Sequence, residues 1–404
     1  MRKAARKLGS SVLAVLVATL SMGTARPTPP SGVRDPERDR LLTMGHRLNY
    51  VGTPDAADAI WQQLGALDPG DPAAAVGEVD TIYWRLMYDE SELGYDARIR
   101  ERTGEAVRLA DQRLEANPED ADTHYQLGRA LMQRARLEGT RGHFMTAGRD
   151  GERGREHLER ALVLRPDWSD PKYPLGLYYY FASLLPSLVR WASFLWFVPV
   201  GDRDTGLRYL AEVAGTAGLH RDDARLLLMI IRSYHEPQDP GAALAFARDL
   251  HARYTDNPLL HFELVEVLFA TGRWSEAEEC ARALEQTSAR SIGATGRARM
   301  ARVWRARALL QTRRPHEAWA LVEPMREDDP ALPAWGVHWM RITRGHIHDV
   351  LGQREPARVQ YELVLEYAPP EYDRSRALAE AGLARRFDPV DLEPGPVLTH
   401  GAAQ

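Results

Sequence analysis

The chain has 404 residues, with 52 Lys and Arg against 57 Asp and Glu, 44% hydrophobic and 27% charged, the balance of a soluble globular protein with a large core rather than a disordered or fibrous chain. One cysteine, Cys280, excludes an intrachain disulfide framework, Cys-rich zinc modules and a CxxC redox pair. Three of the basic residues are Lys and 49 are Arg; they are spread along the whole chain among more numerous acids, so the skew reads as the signature of a GC-rich genome rather than a demand for guanidinium chemistry.

Residues 1–25 read as a secretory signal peptide: basic Arg2, Lys3, Arg6 and Lys7, the apolar run Val12 to Ala18, then small Gly23 and Ala25 where a signal peptidase cuts. The apolar run is short for a membrane span. The position of Cys280 excludes a lipid-anchored start, and there is no twin-arginine pair, so a Sec-type route to the periplasm or exterior is expected. Removing this segment leaves 48 basic against 57 acidic residues, a net charge of about −9, which argues against nucleic acid as the main partner.

Residues 26–38 form a Pro-rich leader that can hold neither a helix nor a ladder, and residues 386–404, with Pro389, Pro394 and Pro396, form a similar tail. Between them the pattern is helical and repetitive. An alanine stands twelve residues before a proline four times, as Ala57 to Pro69, Ala106 to Pro118, Ala318 to Pro330 and Ala357 to Pro369, with an apolar Trp61, Ala110, Val322 or Tyr361 four positions after the alanine. The small residue lets two antiparallel helices approach, the apolar one fills the groove, and the proline stops the second helix. Further copies deviate. Leu127-Gly128 opens a unit whose second helix is delayed to Gly154, Leu158 and Ala161, an excess of about fourteen residues that predicts an extended turn. Tyr234 and Ala243 lead to Leu250, Tyr254 and Pro258, and Gly272 to Ala277 marks the turn and second helix of the next unit. No Asn-Gly or Asp-Gly hairpin turn separates alternating segments, and Met229-Ile230-Ile231 sits within helical periodicity.

This Leu-Gly, Ala, aromatic, Ala, Pro pattern resembles the tetratricopeptide repeat (TPR), most closely at Thr123 to Gly128 and over Gly345 to Gly352 with Ala357 to Pro369. Arg305 and Arg344 depart from it, standing where the repeat usually has Leu. The resemblance implies an all-α fold, a TPR-like α-solenoid of antiparallel helix pairs, with six or seven units over residues 40–385. The expected division is N-terminal repeats over 39–166, an apolar helical insertion or elbow over 167–220, and C-terminal repeats over 221–385.

The elbow is expected because Tyr173 to Val200 is apolar on every helical face, which places it in a core or in lipid. Pro186 divides it into arms too short to span a bilayer, and Arg190 would lie near mid-membrane. Burial is therefore favoured over a partner surface, and both over membrane insertion; peripheral membrane contact is not favoured. Gly201-Asp202 then starts an amphipathic helix with Leu207, Leu210 and Val213 on one stripe. The stretches His157 to Leu162, Gly176 to Tyr180, Leu184-Leu185-Pro186 and Gly201 to Leu207 resemble exported bacterial TPR proteins without an assigned activity. Their Leu-Pro, Gly-Asp-Arg and Gly-Leu spacing also resembles the eukaryotic TPR family that includes a mitochondrial outer-membrane protein of inclusion-body clearance. In its expected general architecture and compartment alone the chain also resembles the periplasmic T-component of TRAP transporters.

Catalytic signatures are missing: the sequence has no HExxH, GxxxxGK[ST], GxSxG or strand-linked GxGxxG. His346 and His348 stand i, i+2 on a helix, pointing about 200° apart, so they cannot chelate one ion. Cys280 reads as a small apolar filler. Arginines 134, 136, 141, 149, 153 and 155 read as a solvated face paired with Glu138, Asp150, Glu152 and Glu156, or as an anionic-partner surface. Trp274, Trp304, Trp319, Trp335 and Trp339 read as inter-repeat core.

The expectation is a non-catalytic protein-interaction scaffold of the bacterial cell envelope, with a protein or peptide partner and no cofactor or metal. Its candidate partner-binding residues are Tyr178, Tyr179, Arg190, Trp191 and Trp196 of the apolar segment with Arg149 and Arg153 beside it. The alternative is a periplasmic small-molecule carrier or transporter accessory, TRAP T-component-like, in which Tyr178, Tyr179, Tyr180, Trp191 and Trp196 line an apolar pocket.

Overall fold

A computed structural model describes residues 35–87, 94–184, 201–234, 238–286, 294–330, 332–369 and 373–389. Over them run seventeen helices and no strand. The first six are α1 (Pro36–Val51), α2 (Pro54–Leu67), α3 (Ala73–Leu86), α4 (Asp96–Ala116), α5 (Ala121–Thr140) and α6 (Phe144–Leu164). Then come α7 (Lys172–Ser183), α8 (Arg203–Gly215), α9 (Arg221–Tyr234), α10 (Pro240–Arg253), α11 (Pro258–Ala270) and α12 (Trp274–Gln286). The last are α13 (Ala294–Gln311), α14 (Pro315–Val322), α15 (Ala334–Val350), α16 (Arg354–Tyr367) and α17 (Asp373–Ala384). They form eight packed pairs, α1/α2 through α15/α16, closed by α17, one or two more than the sequence predicts. The architecture is a TPR-like α-solenoid.

The pairing has a repeated physical unit. Trp61 of α2 is clamped between Gly45 of α1 and Gly77 of α3: a Cβ at Gly45 would meet its ring at 2.4 Å and one at Gly77 at 2.6 Å. Tyr361 of α16 is held the same way between Gly345 of α15 and Gly382 of α17, at 2.5 Å from both positions. Each ring thus fills the groove of its own pair and of the next, and only glycine on both sides lets the backbones come that close. Leu158 against Gly128 and Leu210 against Gly176 are aliphatic versions. The alanines of the spacing pattern, Ala57, Ala106, Ala318 and Ala357, are all fully buried. Within four pairs the turn passes through a glycine in the left-handed region, Gly52, Gly142, Gly272 and Gly352. Between pairs the side chains of Asp120 and Asn257 cap α5 and α11, and within pairs those of Asp202 and Asp239 cap α8 and α10.

Three predicted features take a different form. The extra residues between Gly128 and Gly154 do not make an extended turn: they lengthen α5 to 20 and α6 to 21 residues, against 13 in each of α11 and α12, and leave a short turn at Arg141–His143. The 21-residue α4 runs alongside. Elongation is the cheaper solution because each added helical residue makes its own hydrogen bond. In the stretch expected to form an elbow, α7 pairs with α8 across Gly176, whose Cβ would meet Leu210 at 2.9 Å and the Gly206 carbonyl oxygen at 3.2 Å, so 172–183 and 203–215 form a repeat. Most of the apolar insertion between them, with Arg190, Trp191 and Trp196, lies outside the described residues, as does the signal-peptide segment. Finally, Arg344 donates to the carbonyl oxygens of Val322 at 2.9 Å and Met325 at 2.5 Å, ending α14, and Arg305 pairs with Glu285 at 3.1 Å. Each replaces an apolar contact by satisfying polar groups of the preceding pair. Among the described residues no helix is long and apolar enough to cross a membrane.

The first helices of the pairs form the inner layer; α11 is buried at every position from Pro258 to Ala270. The superhelix is wound tightly enough for its beginning to touch its second half. Tyr50 of α1 and Trp84 of α3 belong to the same core cluster as Leu226, Met229, Leu259 and Phe262. Asn257 Nδ2 donates to the Tyr50 carbonyl oxygen at 2.9 Å, across 207 residues of sequence, and Arg297 Nη2 to that of Met87 at 2.8 Å, across 210. Ala357→Leu, which forces a branched side chain into the α15–α16 contact, is expected to cost about 1–3 kcal/mol of stability in urea unfolding; an unchanged midpoint would show that the repeat register is wrong.

Candidate functional site

The inner layer carries a buried polar cluster where the beginning of the superhelix meets its second half. Helical periodicity assembles it from i, i+4 pairs on inner faces: His46 and Tyr50 on α1, Asp80 and Trp84 on α3, and Tyr125 and Arg129 on α5. Tyr173 of α7 adds a ring, and His220 and Asp223 stand just before and in the first turn of α9. Asp223 is the centre. Its Oδ1 accepts from the Tyr50 hydroxyl at 2.5 Å, and its Oδ2 lies 2.6 Å from His220 Nδ1 and 2.9 Å from His46 Nε2. His220 Nε2 meets the Tyr125 hydroxyl at 2.6 Å, and the His220 ring stacks on Tyr173 with centroids 4.8 Å apart. Behind this shell Arg129 pairs with Asp80, which also accepts from Gln133 Nε2 at 2.7 Å. Asn257 ties the Tyr50 backbone to α11 while its Oδ1 caps that helix.

The electrostatics follow from burial and proximity. Burial alone would raise the Asp223 carboxyl, but the nearby charges of His46 and His220 and the His220 hydrogen bond outweigh it and hold the group well below the usual carboxylate range. Burial alone would lower His46, but Asp223 raises it above the ordinary imidazole value. Burial pushes the hydroxyls of Tyr50, Tyr125 and Tyr173 well above theirs, so they remain neutral donors. The His46, His220 and Asp223 ligand atoms all lie within 4.8 Å of one another, and among the described residues these are the ones that could hold a metal ion.

The side chains singled out from the sequence lie elsewhere. Tyr178 donates to Glu152 at 3.0 Å and Tyr179 to Glu159 at 2.5 Å, both carboxylates also pairing with Arg155, and Tyr180 turns into the core with Leu210 and Val213. Successive 100° steps along α7 therefore send the three tyrosines to different neighbours instead of around one cavity. Of the arginines, Arg134 forms a bidentate pair with Asp150 (2.6 and 2.7 Å), Arg141 one with Asp96, and Arg136 lies 4.3 Å over the Tyr83 ring. Arg149 and Arg153 are exposed on α6 and have no ion pair among the described residues.

Met145, Arg149 and Arg153 follow one another at i, i+4 and i+8 along α6, beginning at the tip of the long α5–α6 pair, where Phe144 is 73% and Met145 52% exposed. His346 is buried against Phe387 with centroids 3.8 Å apart, while His348 packs on Trp319, so the two do not converge. Burial pushes the Cys280 thiol up to about 12, which suits an inert filler. Trp304 and Trp339 are buried core, and Trp274, Trp319 and Trp335 pack partly buried against it.

No family model matches the chain, and no curated protein matches its sequence. Among solved structures it is similar to yeast Tom70, with TM-score 0.37 and 14% identity over 88% of this chain and 84% of that one. It is also similar to a tetratricopeptide repeat protein from Parabacteroides merdae, with TM-score 0.31 and 12% identity over 85% and 99% of the two chains. A further match is Naa15/Naa10 bound to HypK-THB, with TM-score 0.31 and 12% identity over 86% and 74%. The repeat assignment itself stands on the glycine–aromatic register of this chain.

Asn257→Ala removes a cap and leaves the buried Tyr50 carbonyl oxygen without its donor, so it is expected to cost about 2–3 kcal/mol. Asp202→Ala removes only an exposed cap, at about 1 kcal/mol. Equal losses in urea titrations would show that the link to α1 contributes nothing.

Proposed function

We propose that the protein is a non-catalytic interaction scaffold of the bacterial cell envelope, exported by the Sec route, that docks a protein or peptide partner on the tip and flank of the α5–α6 pair. The carrying observation is the exposed combination on α6: Phe144 and Met145 at the tip, with Arg149 and Arg153 one and two turns further on and without an ion pair among the described residues. Large apolar side chains left in water beside unpaired guanidinium groups gain most from a partner that covers the first and offers carboxylates to the second. The neighbouring Arg134 and Arg155 are spent on internal ion pairs. The matching partner is therefore a segment with acidic residues next to apolar ones. The signal-peptide character of residues 1–25 supports an envelope location.

Photo-crosslinking in cells from position 145, with exposed Val163 on the same helix as control, tests both parts. A discrete protein adduct is expected from 145 only, on a chain that lacks its first 25 residues, and the Arg149→Glu/Arg153→Glu double variant is expected to abolish it without changing the melting temperature. Equal labelling at 163, or an adduct on a full-length cytoplasmic chain, would contradict the reading.

A further inference from the structure

The cluster at the closure of the superhelix has the composition and the outer hydrogen bonds of a metal site. We infer that His46 Nε2, His220 Nδ1 and Asp223 Oδ2 bind one divalent ion of the zinc class, which staples the first helix of the solenoid to the ninth.

Three observations converge. First, an imidazole of the first repeat and an imidazole and a carboxylate at the start of α9 bring their ligand atoms within 4.8 Å of one another in a buried setting, His46 being 8% and His220 3% exposed. Metal–nitrogen and metal–oxygen bonds of about 2.0–2.2 Å in a tetrahedron need ligand atoms roughly 3.3 Å apart, so the present 2.6 and 2.9 Å to Asp223 Oδ2 would open by roughly 0.7 and 0.4 Å while the two imidazole nitrogens, within 4.8 Å, settle to the same separation.

Second, the outer partners are already arranged as a metal site requires. The nitrogen of His220 that faces away from the cluster lies 2.6 Å from the Tyr125 hydroxyl, whose oxygen can accept from Nε2–H when Nδ1 serves as a ligand, and the second carboxylate oxygen of Asp223 is held by the Tyr50 hydroxyl. Third, His46 Nε2 is buried and approaches Asp223 Oδ2 without the angle of a hydrogen bond, so its directional capacity is unspent. One turn further along α1, both amide atoms of Asn49 are likewise buried without a partner. A polar guest among these groups removes a cost that the bare cluster carries.

The donor set selects the metal. Two imidazoles with one carboxylate suit zinc, cobalt or nickel, whereas magnesium and calcium prefer an all-oxygen shell. Three protein ligands leave a fourth position for water or for a donor atom of a partner. A separation of 174 positions between His46 and His220 places the set beyond any local motif.

The test uses the full chain, stripped with a chelator and titrated with cobalt(II). One equivalent is expected to bind with the visible d–d bands of a four-coordinate site, zinc is expected to displace it, and zinc saturation is expected to raise the melting temperature by several degrees. His46→Gln is expected to weaken cobalt binding at least tenfold, and Tyr125→Phe, which keeps all three ligands, to weaken it less. A titration of the wild-type chain with no d–d bands and no zinc-dependent melting shift would overturn the proposal, as would undiminished binding by His46→Gln.

Discussion

The carboxylate of Asp223 is the point on which the arrangement of this molecule depends. A solenoid is ordinarily a one-dimensional object in which each repeat touches only its neighbours. Here one side chain in the first turn of α9 takes a hydroxyl from Tyr50 and lies against the imidazole of His46, both on α1 and more than 170 residues away in sequence. Such a buried charge is tolerable only when it is surrounded by donors. The winding that brings those donors to it therefore follows from the cost of leaving Asp223 alone. Asn257 and Arg297, which reach Tyr50 and Met87 from the other half, repeat the same logic with backbone carbonyls.

This closure divides the surface into two kinds. Inner faces of the first helices, which an open solenoid would offer to a peptide, are occupied in the N-terminal half by the chain's own histidines, tyrosines and core residues. The outward-facing second helices and the long α5–α6 pair remain. That is why the docking surface proposed above lies on α6, and why Arg149 and Arg153 differ from Arg134, which ties α5 to α6 through Asp150, and from Arg155, which pairs along α6 with Glu152 and Glu159.

The legibility of the sequence follows the range of the interactions. The helix pairs were readable because their determinants are local: Ala57, Trp61 and Pro69, or Ala357, Tyr361 and Pro369, fall within thirteen positions of one another, and the glycines opposite them lie in the adjoining helices. The number of pairs was underestimated because α7 and α8 lie on either side of a long insertion and lack the alanine–proline spacing. Fourteen extra residues between Gly128 and Gly154 looked like a loop because length alone does not distinguish a longer turn from two longer helices; the run of helix formers from Arg129 to Glu138 was the available signal. Tyr178 and Tyr179 stood out by composition, yet their roles are set by Glu152 and Glu159 on another helix. The Asp223 cluster was not legible at all, because each member reads locally as one polar residue on an inner face, and only the superhelical winding joins them.

The most direct test of the closure is a double-mutant cycle in urea unfolding between Tyr50→Phe and Asp223→Asn. Residues that touch through a buried hydrogen bond are coupled by about 0.5–3 kcal/mol, and those without shared contacts are additive. Because 173 positions separate the two in sequence, coupling between them arises only if α1 and α9 meet as described. The structure predicts a coupling of about 1 kcal/mol or more. Strict additivity would mean that the solenoid is open and that the cluster around Asp223 does not exist in solution.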